Sequence, residues 1–318
     1  MNAHWTAEAT DTGTRLDVFL AAQPGGISRS QIKKKAELGL CFVNQKPVSA
    51  HFALKEGDEV EIREEGTPRA KAPHRATPVK TRKTERGDTV PLEILRETAD
   101  WIVLNKPAGV LVHPDHAHPD GTLIDAVIAH APGVSKVGED PLRPGIMSRL
   151  DKDVSGIVVI AKTQDAFEHL KRQFAEHKVT KQYLALVHGE IPTDEGDLKF
   201  RIARSTTKAR MAARPVGSEG GQAAWTHYTV EKRFTGATLL RLQILSGRTH
   251  QIRAHLHAFN HPVVGDRLYE LKQTKRRLTP PRLMLQSVLL AFDDPTTGER
   301  VSFTLPPDPA FETVIATL

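Results

Sequence analysis

The sequence predicts an α+β protein: a large domain built on a mainly antiparallel mixed sheet, preceded by a small module of helices and short strands. Three observations carry that prediction. Strand-like runs dominate the C-terminal part, at 101–104, 156–161, 183–187, 238–245 and 288–292. Helical patterns there are few and do not alternate with the strands as a parallel sheet would require. A break in composition over 66–89 cuts this part off from a compact N-terminal stretch.

In that break Pro68, Pro73 and Pro78 punctuate a run whose only large aliphatic residue is Val79. Residues 69–86 carry seven basic side chains (Arg69, Lys71, Arg75, Lys80, Arg82, Lys83, Arg86) against Glu85. Such a segment buries too little apolar surface to offset the entropy of ordering. The expected organisation is therefore a small module at 12–63, a flexible basic linker at 64–90 and a large domain at 91–318.

Within the module, Arg15-Leu16-Asp17-Val18-Phe19-Leu20 opens a short amphipathic helix. Ser28 is a plausible N-cap for a second, running through Arg29, Ile32, Lys33 and Ala36, with Gly39 as its stop. Residues 41–43 and 59–62 read as strands, with a turn at 44–47. Arg29, Lys33, Lys34 and Lys35 give the second helix a basic surface, which taken alone is ordinarily just a solvated face. In the large domain, Leu240, Leu242 and Ile244 alternate with Arg241 and Gln243, a half-buried strand. Phe167, Leu170 and Phe174 recur at helical spacing and predict a helix over 164–178; another should start near Thr249.

Composition narrows the function. The 318 residues are 39% hydrophobic, which places the chain among globular proteins, and 44 basic against 38 acidic residues leave a net charge of +6. That excess favours a polyanionic partner. One cysteine, Cys41, excludes a disulfide framework and a multi-cysteine metal cluster and fits a reducing compartment. The first 26 residues hold Glu8, Asp11 and Asp17 against Arg15 and no apolar core, unlike a secretory signal. No aliphatic run approaches the ~20 residues of a membrane span. A cytoplasmic protein without membrane attachment is expected, and with no coiled-coil seam, a monomer.

Three segments set chargeable residues against apolar strands. Ser148-Arg149-Leu150-Asp151-Lys152-Asp153-Val154-Ser155-Gly156 runs straight into a strand; Lys181-Gln182-Tyr183-Leu184-Ala185-Leu186-Val187-His188-Gly189 is itself strand-like; Ser246-Gly247-Arg248-Thr249-His250-Gln251-Ile252-Arg253-Ala254-His255 spans a strand–turn–helix junction. Singly, Asp151 reads as a turn residue, Tyr183 as a core aromatic and the arginines as surface cations. Histidines at 113, 116 and 118, and at 250, 255, 257 and 261, lack the spacing of a metal site. Asp151 and Asp153, two residues apart, are poorly placed to bracket a glycosidic bond.

Taken together and in order, R-L-D-x-x-x-S-G, K-x-Y-L-A-L-V-x-G, G-R-T-H-Q-I-R-x-H-L and H-P-V-x-G-D resemble the pseudouridine synthases of the ribosomal large-subunit (RluA) type. Asn105-Lys106-Pro107-Ala108-Gly109, with Val112-His113-Pro114, is similar to that family's opening strand and turn, and Arg143-Pro144-Gly145-Ile146 to the lead-in of its catalytic motif. The module at 12–63, with R-L-D-x-F-L, S-R-S, G-x-x-x-V-N and G-D-x-V in order, resembles the small RNA-binding module named after a small-subunit ribosomal protein. The sequence departs from the family pattern at Ser148, Val154 and Gln286, where His, Thr and His are usual.

The resemblance implies isomerisation of uridine in RNA to its C-glycoside, most readily in large-subunit (23S) ribosomal RNA or a pre-ribosomal particle, with no metal, redox cofactor or energy source. It implies Asp151 as the carboxylate acting at C1′ of the ribose, at C6 of the uracil, or in assisting a glycal-like intermediate. Such a group must stay ionised where desolvation would raise its pKa. Arg253 matches the family's guanidinium partner, a charge-assisted and potentially bidentate pair. Tyr183 matches the tyrosine that packs on the extruded base and takes part in proton transfer. Arg29, Lys33, Lys34 and Arg248 are the expected RNA contacts. Two other readings share these motifs: a non-catalytic RNA-binding or ribosome-assembly factor of the same fold, and the same chemistry on transfer RNA.

Overall fold

A computed structural model describes residues 3–23, 27–37, 39–63, 90–115, 117–205, 208, 210–271, 278 and 280–318. The chain divides into two compact units, whose described residues fall within 3–63 and 90–318. The expected linker at 64–90 lies, but for Val90, outside the described residues.

The small unit comprises β1 (Ala3–Thr6), α1 (Leu16–Ala21), α2 (Arg29–Glu37), β2 (Cys41–Val43), β3 (Lys46–Pro47) and β4 (Glu59–Ile62). Its sheet runs β1-β4-β2-β3. β1 lies before residue 12, where the module was expected to begin, and pairs antiparallel with β4. Ser28 and Gln31 satisfy one another's backbone amides at the start of α2, a reciprocal cap. Gly39 takes a φ of +72° beyond its end. Asn44 and Gln45 are both left-handed, the geometry of a tight hairpin turn. Leu16, Phe19, Leu20, Ile32, Cys41, Val43, Val60 and Ile62 form the core.

The large unit contains β5 (Glu93–Glu97), β6 (Trp101–Lys106), α3 (Leu123–His130), β7 (Ser155–Ala161), α4 (Gln164–Ala175), β8 (Thr180–His188), β9 (Glu195–Arg204), β10 (Met211–Arg214), β11 (Gln222–Phe234), β12 (Ala237–Ile244), α5 (Gln251–Ala258), β13 (Leu285–Asp293), β14 (Arg300–Thr304) and α6 (Pro309–Ile315). The sheet order is β10-β9-β11-β12-β8-β13-β7-β6-β5, with β14 paired to β13. Among the described residues only β13 and β7 pair in parallel. This is the mainly antiparallel mixed sheet that the sequence predicts.

The central strands are buried on both faces. Ile102, Leu104, Val158 and Ile160 join the core covered by α3, α5 and α6, while Trp101, Val103, Ile157 and Val159 join the core under α4. The α4 helix ends three residues short of the expected Lys178, because Glu176 caps it and His177 turns left-handed at φ +57°. Among the described residues no helix is long and apolar enough to cross a membrane.

One contact fixes how β7 meets β13. Gly156 sits at φ +115°, and a Cβ there would lie 2.1 Å from the Ser287 carbonyl oxygen. Only glycine lets the strand leave the Asp151 turn and pass this close to its parallel neighbour.

Candidate active site

Asp151 occupies the turn that delivers the chain into β7, with the Val154 amide donating to its carbonyl at 3.1 Å. Leu150 and Val154, on either side, are buried in the core. The turn is held from below by Lys106, the last residue of β6. Its fully buried Nζ donates to the carbonyls of Pro107 (2.9 Å), Val110 (2.7 Å) and Lys152 (3.1 Å). Burial lowers its pKa to about 7, against the opposing pull of Asp151 and Asp153. The N-K-P-A-G turn and the R-L-D turn are thereby one structure.

Arg253 reaches Asp151 from α5. Its Nη1 donates to Asp151 Oδ2 at 2.8 Å. The other edge of the guanidinium does not face Asp151: Nε and Nη2 donate to Asp266 Oδ2 and Oδ1, at 2.7 and 2.8 Å. The bidentate pair expected between Arg253 and Asp151 is thus made with Asp266, and Asp151 receives a single bond. A planar fork has two usable edges, and the loop after α5 fills one. Burial alone would lower the arginine's pKa; Asp266 foremost, then Asp151, outweigh it and raise it.

The side chains of Asp266, Arg253 and Asp151 are 0%, 7% and 24% exposed, so the trio opens toward solvent only at Asp151. Asp151 Oδ1 has no hydrogen-bond partner among the described residues. His250, at φ +53°, turns the chain into α5 and sets its Nε2 3.8 Å from Asp151 Oδ2, while Nδ1 lies 3.1 Å from the Tyr269 hydroxyl. Burial lowers the His250 pKa, which favours the neutral ring beside Asp151.

Asp151, Arg253, Asp266 and His250 line a cleft of about 580 Å3 together with His113, His118 and Arg248. A recess of about 60 Å3 brings Tyr183 together with Asp151, Arg253 and Leu285. Tyr183 is 8% exposed, and its hydroxyl has no hydrogen-bond partner among the described residues. Burial and the Asp151 charge push its pKa well above the ordinary value, so the phenol stays protonated at neutral pH.

Arg248 stands exposed at the lip of the cleft. Its turn is braced by Gln251, whose amide accepts from the Arg248 backbone and from Ser246 and donates to the Trp225 carbonyl and the Thr226 hydroxyl. Arg149 donates to Thr249 across the same opening. In the small unit, Arg29 gives two N–H groups to Asp17. Lys33 lies on α2 with it, and the Lys34 side chain is outside what is described.

The three departures from the family pattern also have places. Val154 fills core. Gln286 is buried and ties β13 to the chain before α6, donating to the Pro306 carbonyl and accepting from the Asp308 amide. Ser148 lies half-buried just before Arg149.

Missed by the motifs as site residues are Lys106, His250, Asp266 and Tyr269. Asp266 and Lys106 both stand inside quoted motifs, but a strand-end lysine is ordinarily solvated and a Gly-Asp pair ordinarily a turn. Among the described residues no group of three or more His, Cys, Asp or Glu is disposed to hold a metal, and His116 lies outside them.

Comparison with known proteins fits this arrangement. A model of the RNA pseudouridylate synthase family matches residues 100–258, and one of the S4 domain matches residues 14–60. An uncharacterised RNA pseudouridine synthase of Bacillus subtilis is 34% identical over 301 residues, spanning 95% of this chain and 93% of the relative. Ribosomal large subunit pseudouridine synthase D of Vibrio parahaemolyticus is 33% identical over 313 residues, spanning 95% and 90%. The solved structure of human RNA pseudouridylate synthase domain containing 1 aligns with a TM-score of 0.57 at 30% identity, over 71% of this chain and 87% of that one. Fold and cleft thus define an RNA-modifying isomerase with an S4 module. The chain belongs to the RNA pseudouridylate synthase family.

Proposed function

We propose that this enzyme converts specific uridines of large-subunit ribosomal RNA, free or in an assembling particle, to pseudouridine, with Asp151 as its nucleophile. The observation that carries the reading is the Asp151 carboxylate in the cleft, with one oxygen held by Arg253, the other unengaged, and Tyr183 lining the same recess. The name of the Vibrio relative supports the choice of RNA.

The reaction breaks N1–C1′ and forms C5–C1′; C5 loses a proton and N1 ends with one, so the composition is unchanged. Asp151 attacks C1′ or C6, or assists a glycal route, and Arg253 keeps it ionised as the cleft sheds water. Tyr183 stacks on the extruded uracil. Its phenol stays protonated while Asp151 is charged. When Asp151 loses its charge in an adduct, the penalty on the phenolate falls; the phenol then gives its proton to N1 and, as the phenolate, takes the one that C5 loses.

Residues 12–63, extended by β1, serve as the RNA-binding module, 64–90 as a basic tether and 91–318 as the catalytic domain. Arg29, Lys33, Lys34 and Arg248 contact phosphates. The enzyme acts as a cytoplasmic monomer.

Pseudouridine mapping over total RNA, with and without the gene, tests the reading. One or a few large-subunit sites should disappear, and return with the wild-type gene but not with Asp151→Ala. Loss at transfer-RNA sites alone would replace the proposed substrate. Complementation by Asp151→Ala would remove the assigned chemistry.

A further inference from the structure

The residue that aims Arg253 lies eight positions beyond the matched family segment. Asp266 is fully buried, and four donors fix it: Nε and Nη2 of Arg253, and the backbone amides of Leu268 (3.0 Å) and Tyr269 (3.1 Å). Its own position is set by Gly265 at φ +81°, where a Cβ would stand 2.2 Å from the Arg282 carbonyl oxygen. The Tyr269 ring lies 5.2 Å from the Arg253 guanidinium. The guanidinium therefore has one edge clamped, a face covered and only Nη1 presented to the cleft.

From this geometry we infer that Asp266 is a positioning residue of the isomerase, acting through Arg253 on Asp151. It has two effects. By filling one edge of the fork it aims Nη1, so Asp151 is anchored through Oδ2 while Oδ1 stays unengaged. By taking a share of the guanidinium's charge it leaves Asp151 ionised without a dedicated counter-ion, and so more nucleophilic than a carboxylate in a private bidentate pair. The inference rests on Asp151 being the reacting carboxylate.

The test uses the full chain and RNA carrying uridine tritiated at C5, whose label is released when C5 loses its proton. Asp266→Asn should slow single-turnover release about 100-fold, the scale of a misaimed catalytic group, with RNA affinity within about threefold of wild type. Added to Arg253→Gln, Asp266→Asn should change the rate less than about twofold, since its effect passes through the arginine. Asp266→Glu keeps the charge but displaces the clamp by a methylene; it should melt close to wild type and still lose about tenfold in rate. Full activity in both single variants overturns the inference, as do effects of Asp266→Asn and Arg253→Gln that multiply. Undiminished release by Asp151→Ala would instead overturn the underlying reading, whatever the Asp266 variants do.

Discussion

The tripeptide Arg-Leu-Asp occurs twice in this chain, at 15–17 and 149–151, and its two aspartates meet different surroundings. Both leucines are anchored in a core, Leu16 in the small unit and Leu150 in the large one. Asp17, in the first turn of α1, is gripped by two arginines. Oδ1 accepts from Arg15 Nε at 2.9 Å, and Oδ2 accepts from Arg15 Nη2 at 3.0 Å and Arg29 Nη2 at 2.7 Å. Asp151 faces the reverse ratio, one arginine divided between two carboxylates. Burial works to raise the pKa of Asp17, but Arg29 and Arg15 outweigh it and hold the carboxyl below its usual range. An aspartate with two guanidiniums has no oxygen to spare; one that shares a guanidinium keeps one. The tripeptide is the same, so the partners brought in by the fold decide which acid is fully engaged and which keeps an oxygen unengaged.

Exchanging the acids for amides gives the largest expected contrast. Asp151→Asn should lower tritium release at least about 10,000-fold, the scale of removing a nucleophile, with melting close to wild type. Asp17→Asn should do the opposite, leaving single-turnover release at saturating RNA within about threefold. Its small unit should lose about 1–2 kcal/mol, a figure kept low because both arginines are partly exposed. A catalytic loss at Asp17 comparable to that at Asp151 would break the distinction.

The same contrast shows what could be read in advance. That Asp151, Tyr183 and Arg253 meet in one recess was legible because motif order survives a separation of 102 positions between the first and the last. The central strands were legible too, since burial on both faces leaves continuous aliphatic runs such as β7. β9, β10 and β11 escaped notice because they are only partly buried, and the polar residues of β9 and β11 dilute the alternation. α3 and α6 are about two turns long, too short for a helical period to repeat and stand out. Asp266 illustrates a different limit. Which carboxylate closes a guanidinium fork depends on where a loop returns after its helix, and no local pattern encodes that choice.

Acid should separate the two units by an intermediate amount. His255, on α5, is fully buried, with both ring nitrogens unpartnered among the described residues and its ring 5.3 Å from Phe200. Burial lowers its pKa from 6.5 to about 4, so the folded chain prefers the neutral ring. Its contribution is complete above 6.5 and is lost as pH falls from there toward 4, up to about 3 kcal/mol in all. Asp17 also has a lowered pKa, so its contribution is lost only as pH falls below 3.8, through the folded value. Between pH 7 and 4.5, amide protection corrected for intrinsic exchange should therefore fall in β8 and β12 and hold in α1 and β4. His255→Leu should flatten the fall. A decline unaltered by that substitution would assign it to other groups.

The smallest expected effect concerns the arginines themselves. Arg248 is exposed at the cleft and has no ion-pair partner among the described residues. Arg29 is 57% exposed but already lies 2.7 Å from Asp17. A phosphate meeting Arg248 therefore meets a full charge, whereas at Arg29 it competes with a carboxylate that stays in place. Each full phosphate contact adds about 0.7–0.9 to the slope of log affinity against log salt. Arg248→Ala should flatten the slope for RNA binding by about that amount, and Arg29→Ala by less than half of it. Equal flattening would mean that Asp17 releases Arg29 when RNA arrives, and that the grip on the small unit's acid is as divisible as the one on Asp151.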